Sequence, residues 1–271
     1  MNNKAIGLFD SGVGGLTVLK ALMQVLPKEN YIYLGDTARL PYGTKSKETI
    51  IRYALQCTEK LMENDLKMLV VACNTVSSVA LPAIREKYPA IEIIGVVEPG
   101  AEAACHATKN NHIAVLGTQS TIRGKAYDKA IMARNPRAIV TGKACQLFVG
   151  MAEEGITQGY LAEEMAKHYL KDILSLSEET KPDTMVLGCT HFPLLKNAIQ
   201  NVVGNSIQLV DSAQTTALKV LARLRENNAL AENNTASMRF LTTDDIAKFK
   251  AIGEPFLGIS LDKSPVELVD L

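Results

Sequence analysis

The chain has 271 residues, enough for one large or two small domains, and 47% hydrophobic residues can fill real cores. Lys plus Arg and Asp plus Glu both number 29, so the formal charge is zero and neither nucleic acid nor an acidic membrane surface is indicated as partner. The opening MNNKAIGLFDSG has too few apolar residues for a signal-peptide core or a membrane span, so a soluble cytoplasmic protein is expected, and five cysteines without a C-x-x-C pair predict free thiols rather than disulfides or a zinc ribbon.

Ala5 to Phe9 reads as a strand, followed by the turn Asp10-Ser11-Gly12-Val13-Gly14-Gly15 and a helix from Leu16 to Leu26 that Pro27 ends. Tyr31 to Leu34 is the next strand. The loop Gly35 to Thr44 and a helix from Lys47 to Asn64 lead to a third strand, Met68 to Ala72, and Ile91 to Val97 forms a fourth. From His112 the pattern restarts, with strands expected at Ile113 to Thr118, Ala138 to Thr141, Met185 to Gly188 and Ile207 to Asp211. Asp10 precedes Cys73 by 63 residues and Thr118 precedes Cys189 by 71; Glu98 and Asp211, taken as the acidic ends of the fourth strands, follow those cysteines by 25 and 22. After Asp211 come a helix (Ala213 to Leu224), a polar stretch from Arg225 to Asn234, a strand at Met238 to Leu241 and a last helix, a tail expected to pack back on the first half.

This order predicts an α/β protein of two pseudo-symmetric domains, each a mostly parallel sheet flanked by helices, with the site in the cleft between them. Residues 1–97 with 208–271 are expected to form the first domain and 98–207 the second.

Val70-Val71-Ala72-Cys73-Asn74-Thr75 and Val186-Leu187-Gly188-Cys189-Thr190-His191 share one design: a buried strand, a thiol at its carboxyl end, then a helical segment. In open α/β sheets that rim binds ligands, and the free N–H groups of the following helix favour thiolate over thiol. A lone buried cysteine is usually an inert core residue, and Cys57, Cys105 and Cys145 are read so. Two thiols at equivalent strand ends are not explained by packing, so Cys73 and Cys189 are read as functional.

The glycine turn imitates a dinucleotide-binding loop, with Asp36 standing for the ribose-binding acid, but the third glycine would fall at position 17, which is Thr17. Asp10 and Ser11 also stand where pyrophosphate would meet the backbone, and a carboxylate there repels phosphate. Asp10 is therefore read as facing the cleft to manage a proton, beside the plainer reading of a helix cap. Cys189 and His191 have the chemistry of zinc ligands, but His106, His112 and His168 are scattered, so no metal is expected.

Four segments, Asp10 to Gly15, Pro41-Tyr42-Gly43, Ala72 to Thr75 and Gly188 to His191, together resemble the signature segments of glutamate racemases in the aspartate/glutamate racemase family, over about Ile6 to Asp211. The resemblance implies cofactor-independent interconversion of L- and D-glutamate, supplying D-glutamate for peptidoglycan, in an enzyme expected to be a homodimer. It implies Cys73 with Asp10 on one face of the substrate Cα and Cys189 with His191 on the other. Ser11, Tyr42, Gly43, Asn74, Thr75 and Thr190 match positions that hold the substrate, with Asp10 and His191 also touching it and Thr118 and Thr121 as further contacts. The two-thiol arrangement suits the chemistry, because inverting Cα needs a proton removed from one face and returned on the other. Many members read Phe-Val-Pro-Leu-Val-Glu where this chain has Phe148-Val149-Gly150-Met151-Ala152-Glu153, and Gln146 stands where proline is common. A more mobile loop is expected there, and Glu153 has two readings, a partner that orients His191 and a turn cap. Two other classes compete: a thiol hydrolase using Cys189 and His191, and a two-lobed amino-acid-binding protein.

Overall fold

Short apolar segments whose residues are buried on both faces pair side by side as parallel strands, and helices cover both faces of the sheets they form. The computed structural model describes residues 3–232, 236–262 and 264–271. The strands are β1 (Ala5–Asp10), β2 (Tyr31–Gly35), β3 (Leu66–Val71), β4 (Glu92–Gly95), β5 (His112–Gly117), β6 (Ile139–Ala144), β7 (Thr184–Gly188), β8 (Gln208–Asp211), β9 (Met238–Thr242) and β10 (Val266–Leu268). The helices are α1 (Leu16–Val25), α2 (Lys47–Met62), α3 (Asn74–Val79), α4 (Leu81–Lys87), α5 (Val97–Ala107), α6 (Gln119–Gly124), α7 (Ala126–Arg134), α8 (Leu147–Glu153), α9 (Tyr160–Leu174), α10 (Lys196–Val203), α11 (Ser212–Glu226) and α12 (Ile246–Leu257).

A six-stranded sheet runs β10-β9-β2-β1-β3-β4 and a four-stranded one β6-β5-β7-β8, and every pairing is parallel. The order β2-β1-β3-β4 is repeated as β6-β5-β7-β8, which is the expected duplication in three dimensions. In each copy the chain leaves the first central strand toward one edge and the third toward the other. The crevice between those two strands is a topological switch point, where α/β sheets bind ligands. β3 and β7 are the cysteine-bearing strands in both copies, and the tail packs on the first sheet through β9, whose residues Met238 to Thr242 pair with β2.

Sequence and structure part at several places. Gln208–Asp211 pairs with β7 and completes the second sheet, so the return to the first half falls after β8 and not at residue 208. Val97 to Ala107 is helix, started by the turn at Val96, so Glu98 lies in its first turn rather than at a strand end and pairs at the surface with Arg134. Asp211 does end its strand, β8, as expected, and also caps α11, accepting from the Ala213 N–H at 2.7 Å. The segment around Gly150 is helix α8, not a loop. β10 carries no strong strand pattern and forms as an edge addition to β9. The polar stretch expected to reach Asn234 runs outside the described residues at 233–235. Among the described residues no helix is long and apolar enough to cross a membrane.

Candidate active site

Both cysteines end up on the facing rims of the two sheets because each follows a fully buried strand and begins the turn into the next helical segment. Cys73 is the N-cap residue of α3, and Cys189 follows β7 directly. They line one small cavity together with Ser11, Pro41, Tyr42, Gly43, Asn74, Thr75, Thr118, Gln146, Val149, Thr190 and His191. Its free space is about 20 Å³, room for a single water molecule.

The glycine turn is shaped by this closeness rather than by a phosphate. A Cβ on Gly15 would lie 2.6 Å from the Asp10 Cβ, and one on Gly14 would collide with the Thr190 hydroxyl and sit 2.5 Å from the His191 ring. The turn is thus bare where the second half of the chain presses on the first. Across the same contact the Thr17 hydroxyl donates to the Thr190 carbonyl at 3.1 Å.

Asp10 is fully buried at the end of β1. Its Oδ2 accepts from the N–H groups of Gly12 (3.2 Å) and Gly15 (3.0 Å), so the capping role is real. Its Oδ1 is buried with no hydrogen-bond partner, and the carboxyl also interacts with Cys73. Burial pushes the Asp10 pKa up, and the His191 charge and the two N–H donors oppose that. Burial and then the Asp10 carboxylate push the Cys73 thiol up to about 12, against a Val76 N–H and Ser11, whose Oγ accepts from Sγ at 3.6 Å.

The second thiol has a different neighbour. The Cys189 sulfur is 3.8 Å from His191 Nδ1, and His191 Nε2 is 2.9 Å from Glu153 Oε1. Burial works against a charged imidazole here, but the bonds to Cys189 and Glu153 outweigh it and push His191 up to about 10. Glu153 therefore holds His191, the first of its two sequence readings, and α8 is the element that delivers it. Thr190 Oγ1 approaches Nδ1 of the same ring at 3.4 Å.

The remaining candidates divide between free and committed groups. Asn74 Oδ1 accepts from the Tyr127 hydroxyl at 2.7 Å, which aims its Nδ2, a buried donor with no partner. Thr75, Thr118 and Thr121 form a hydroxyl cluster, with Thr75 3.0 Å from Thr118 and Thr118 3.1 Å from Thr121. Tyr42 departs from its expected use: its hydroxyl is bonded to Asp36, so the residue offers the cavity its ring and backbone, not its OH. Asp36 was weighed in sequence only as a nucleotide-binding acid. It is fully buried and ties Tyr42, Arg39 (2.6 Å) and Thr243 (2.9 Å) together, fixing the loop that carries Tyr42 and Gly43. Gln146, noted in the sequence only as standing where proline is common, is a further wall residue, with a buried Oε1 lacking a partner. Cys57 and Cys145 are core residues as expected, while Cys105 is half-buried. No group of three or more His, Cys, Asp or Glu side chains is placed to hold a metal ion among the described residues.

Fold and cavity define an α/β protein of two repeated halves with a thiol from each half in one closed site. The family described as Asp/Glu/Hydantoin racemase matches residues 10–220. A glutamate racemase of Geobacter metallireducens is 47% identical over 94% of this chain and 93% of its own, and one from Neisseria meningitidis is 44% identical over 99% and 97%. The crystal structure of a glutamate racemase from Francisella tularensis, in complex with D-glutamate, superposes with a TM-score of 0.92 at 36% identity, covering 100% of this chain and 98% of that one. The chain belongs to the Asp/Glu/Hydantoin racemase family, an isomerase of its glutamate racemase branch.

Proposed function

We propose that this chain interconverts L- and D-glutamate by moving protons between the substrate Cα and two opposed thiols, Cys73 and Cys189, without pyridoxal phosphate or metal. The observation that carries the reading is the pair of buried sulfurs in one cavity, each beside its own proton-handling group, Asp10 on one side and the His191–Glu153 pair on the other. In the L-to-D direction Cys189, as thiolate beside the imidazolium, takes the Cα proton, and Cys73, as thiol, delivers one to the opposite face. The roles reverse for the D enantiomer, and Asp10 then accepts the proton that Cys73 must lose. Asn74 Nδ2 and the hydroxyls of Ser11, Thr75, Thr118, Thr121 and Thr190 suit the substrate's carboxylates and ammonium without burying another charge, and the backbone at Tyr42 and Gly43 completes the wall.

The cavity as it stands admits only a water, so the two halves must part to admit glutamate and close on it. Closure excludes water from the carbanionic centre and strengthens each electrostatic contact. The product D-glutamate serves peptidoglycan synthesis in this reading, in a cytoplasmic homodimer; light scattering in solution checks the dimer. Activity is tested by incubating metal-chelated, dialysed protein with L-glutamate. Optical rotation should fall to zero as D-glutamate accumulates, and rotation that stays constant, or decays only after zinc or pyridoxal phosphate is added, would overturn the proposal.

One geometry favours a second reading. Cys189, His191 and Glu153 stand in the order of a nucleophile, its base and an orienting acid, as in a thiol hydrolase. Such an enzyme would keep its hydrolytic activity in Cys73→Ala, whereas racemisation requires both thiols.

A further inference from the structure

Among the described residues, the walls of the thiol cavity hold two buried side-chain atoms with no hydrogen-bond partner: Asn74 Nδ2, a donor from the first half, and Gln146 Oε1, an acceptor from the second. A buried polar atom left unmatched weakens the free protein, so one that persists in a site calls for a reason. The backbone that carries the Gln146 amide is fixed. The Cys145 N–H before it donates to the Gly117 carbonyl at 2.8 Å, the Leu147 N–H after it donates to the Tyr169 hydroxyl at 3.0 Å, and the Gln146 carbonyl accepts from the Val149 N–H at 3.3 Å. Phe148 packs edge-on against Tyr169 and Phe192, which ties the start of α8 to the half that carries Cys189. Proline, common at this position in the family, has no side-chain acceptor to offer, so the departure in sequence coincides with the unmatched atom in the structure.

We infer that Gln146 is a substrate-binding residue of this chain, its Oε1 accepting a hydrogen bond from the α-ammonium of glutamate while Asn74 Nδ2, on the other half, donates to a substrate carboxylate. This deepens the proposed function and rests on its reading of glutamate as the ligand of the thiol cavity. Both carboxylates of glutamate only accept hydrogen bonds, and the ammonium only donates them, so an unmatched acceptor in the wall is met by the ammonium alone. A neutral acceptor also suits the chemistry. The ammonium charge lies next to Cα and stabilises the carbanion left when the proton departs, and a carboxylate in the place of Gln146 would cancel that charge. An amide oxygen orients the ammonium and leaves its charge in force.

The test sets glutamate against glutarate, which has both carboxylates and no ammonium. Gln146→Met keeps the length of the side chain and removes the acceptor. Gln146→Pro is a second variant, whose ring suits the Gln146 φ of −61°, and circular dichroism verifies that both fold. In initial-rate assays each variant should raise KM for L- and D-glutamate by about tenfold or more, because a hydrogen bond to a charged group is lost. The factor should be the same for both enantiomers, which share the ammonium, and kcat should stay close to wild type. The inhibition constant of glutarate should change by less than about threefold, a selectivity that a general disturbance of the cavity would not produce. Unchanged KM in both variants would overturn the inference. A glutarate constant that rises as much as the KM of glutamate would overturn it too, since the amide would then serve a carboxylate. Either result beside a wild type that racemises glutamate removes this inference alone, whereas a wild type that does not racemise it removes the proposed function as well.

Discussion

Cys73 and Cys189 hold the same position in the two copies of the strand repeat, after β3 and after β7, yet their neighbours have opposite charge. On one side a buried carboxylate and desolvation push Cys73 up to about 12 and keep it a thiol. On the other, His191 is pushed up to about 10 and offers its thiol a positive partner at neutral pH. A symmetric backbone thus carries an asymmetric proton inventory. The difference teaches that duplication supplies two thiols at equivalent positions, while single side chains, Asp10 on one side and His191 with Glu153 on the other, give them unlike surroundings. Under the proposed mechanism, a reversible reaction at an equilibrium constant near one does not require the two faces to match; it requires each thiol to find its proton partner nearby.

The most damaging change to this arrangement is loss of either sulfur. Cys73→Ala and Cys189→Ala should each lower kcat in both directions by roughly 10²–10⁴ or more, because each removes the acid/base from one face, while circular dichroism and thermal unfolding stay near wild type. A folded variant with full activity would remove its thiol from the mechanism. Next in size is a directional effect. Asp10→Asn should slow D-to-L more than L-to-D in kcat, and His191→Asn the reverse, by about tenfold or more. The equilibrium constant between enantiomers fixes the ratio of the two kcat/KM values, so each asymmetric loss in kcat must be matched in KM, and full kinetics for both enantiomers test this. Equal losses in both directions would mean that neither residue is dedicated to one thiol.

Smaller effects sharpen the His191 side. Its pKa is raised on folding, so its contribution to stability is complete below the unfolded value of about 6.5 and is lost as pH rises through about 10. Glu153→Gln removes a carboxylate that supports the imidazolium and should lower the His191 pKa by about one unit or more, read by NMR titration of the ring, and pull in the alkaline limit of L-to-D activity. An unmoved titration would leave Glu153 a bystander. The smallest effect expected is from Gly150→Ala. Gly150 is exposed inside the seven-residue helix α8, its φ is not positive, and an added Cβ meets nothing within 4 Å. Alanine there should stabilise the protein by about 0.5–1 kcal/mol, seen as a higher Tm, and steady the helix that delivers Glu153.

Much of this was legible before the structure, for identifiable reasons. Apolar runs such as Met68 to Ala72 and Met185 to Gly188 can be little else than buried strands, and their repeat fixed both the duplication and the thiol positions. What remained hidden depends on contacts far apart in sequence. Glu153 meets His191 across 38 residues, and nothing local distinguishes an orienting acid from a turn cap. The Tyr42 hydroxyl looked free because its acceptor, Asp36, resembled a nucleotide-binding acid at the end of β2. Glu98 was misplaced because a helix begins directly after the short strand β4, and residue spacing alone does not separate a strand's end from a helix's first turn. The edge strand β10, with two of its three residues exposed, had no burial pattern to announce it.

The opposed-thiol account is tested most directly by racemising L-glutamate in deuterated water with the wild-type protein and following deuterium at Cα in each enantiomer at early times. With two opposed thiols, Cys189 removes protium and Cys73 returns deuterium. D-glutamate should therefore appear deuterated from the start, while the unreacted L-glutamate remains protiated. Protiated D-glutamate from internal return, or deuterium entering the recovered L enantiomer as fast as D-glutamate forms, would show a single base serving both faces and contradict the assignment of one thiol to each.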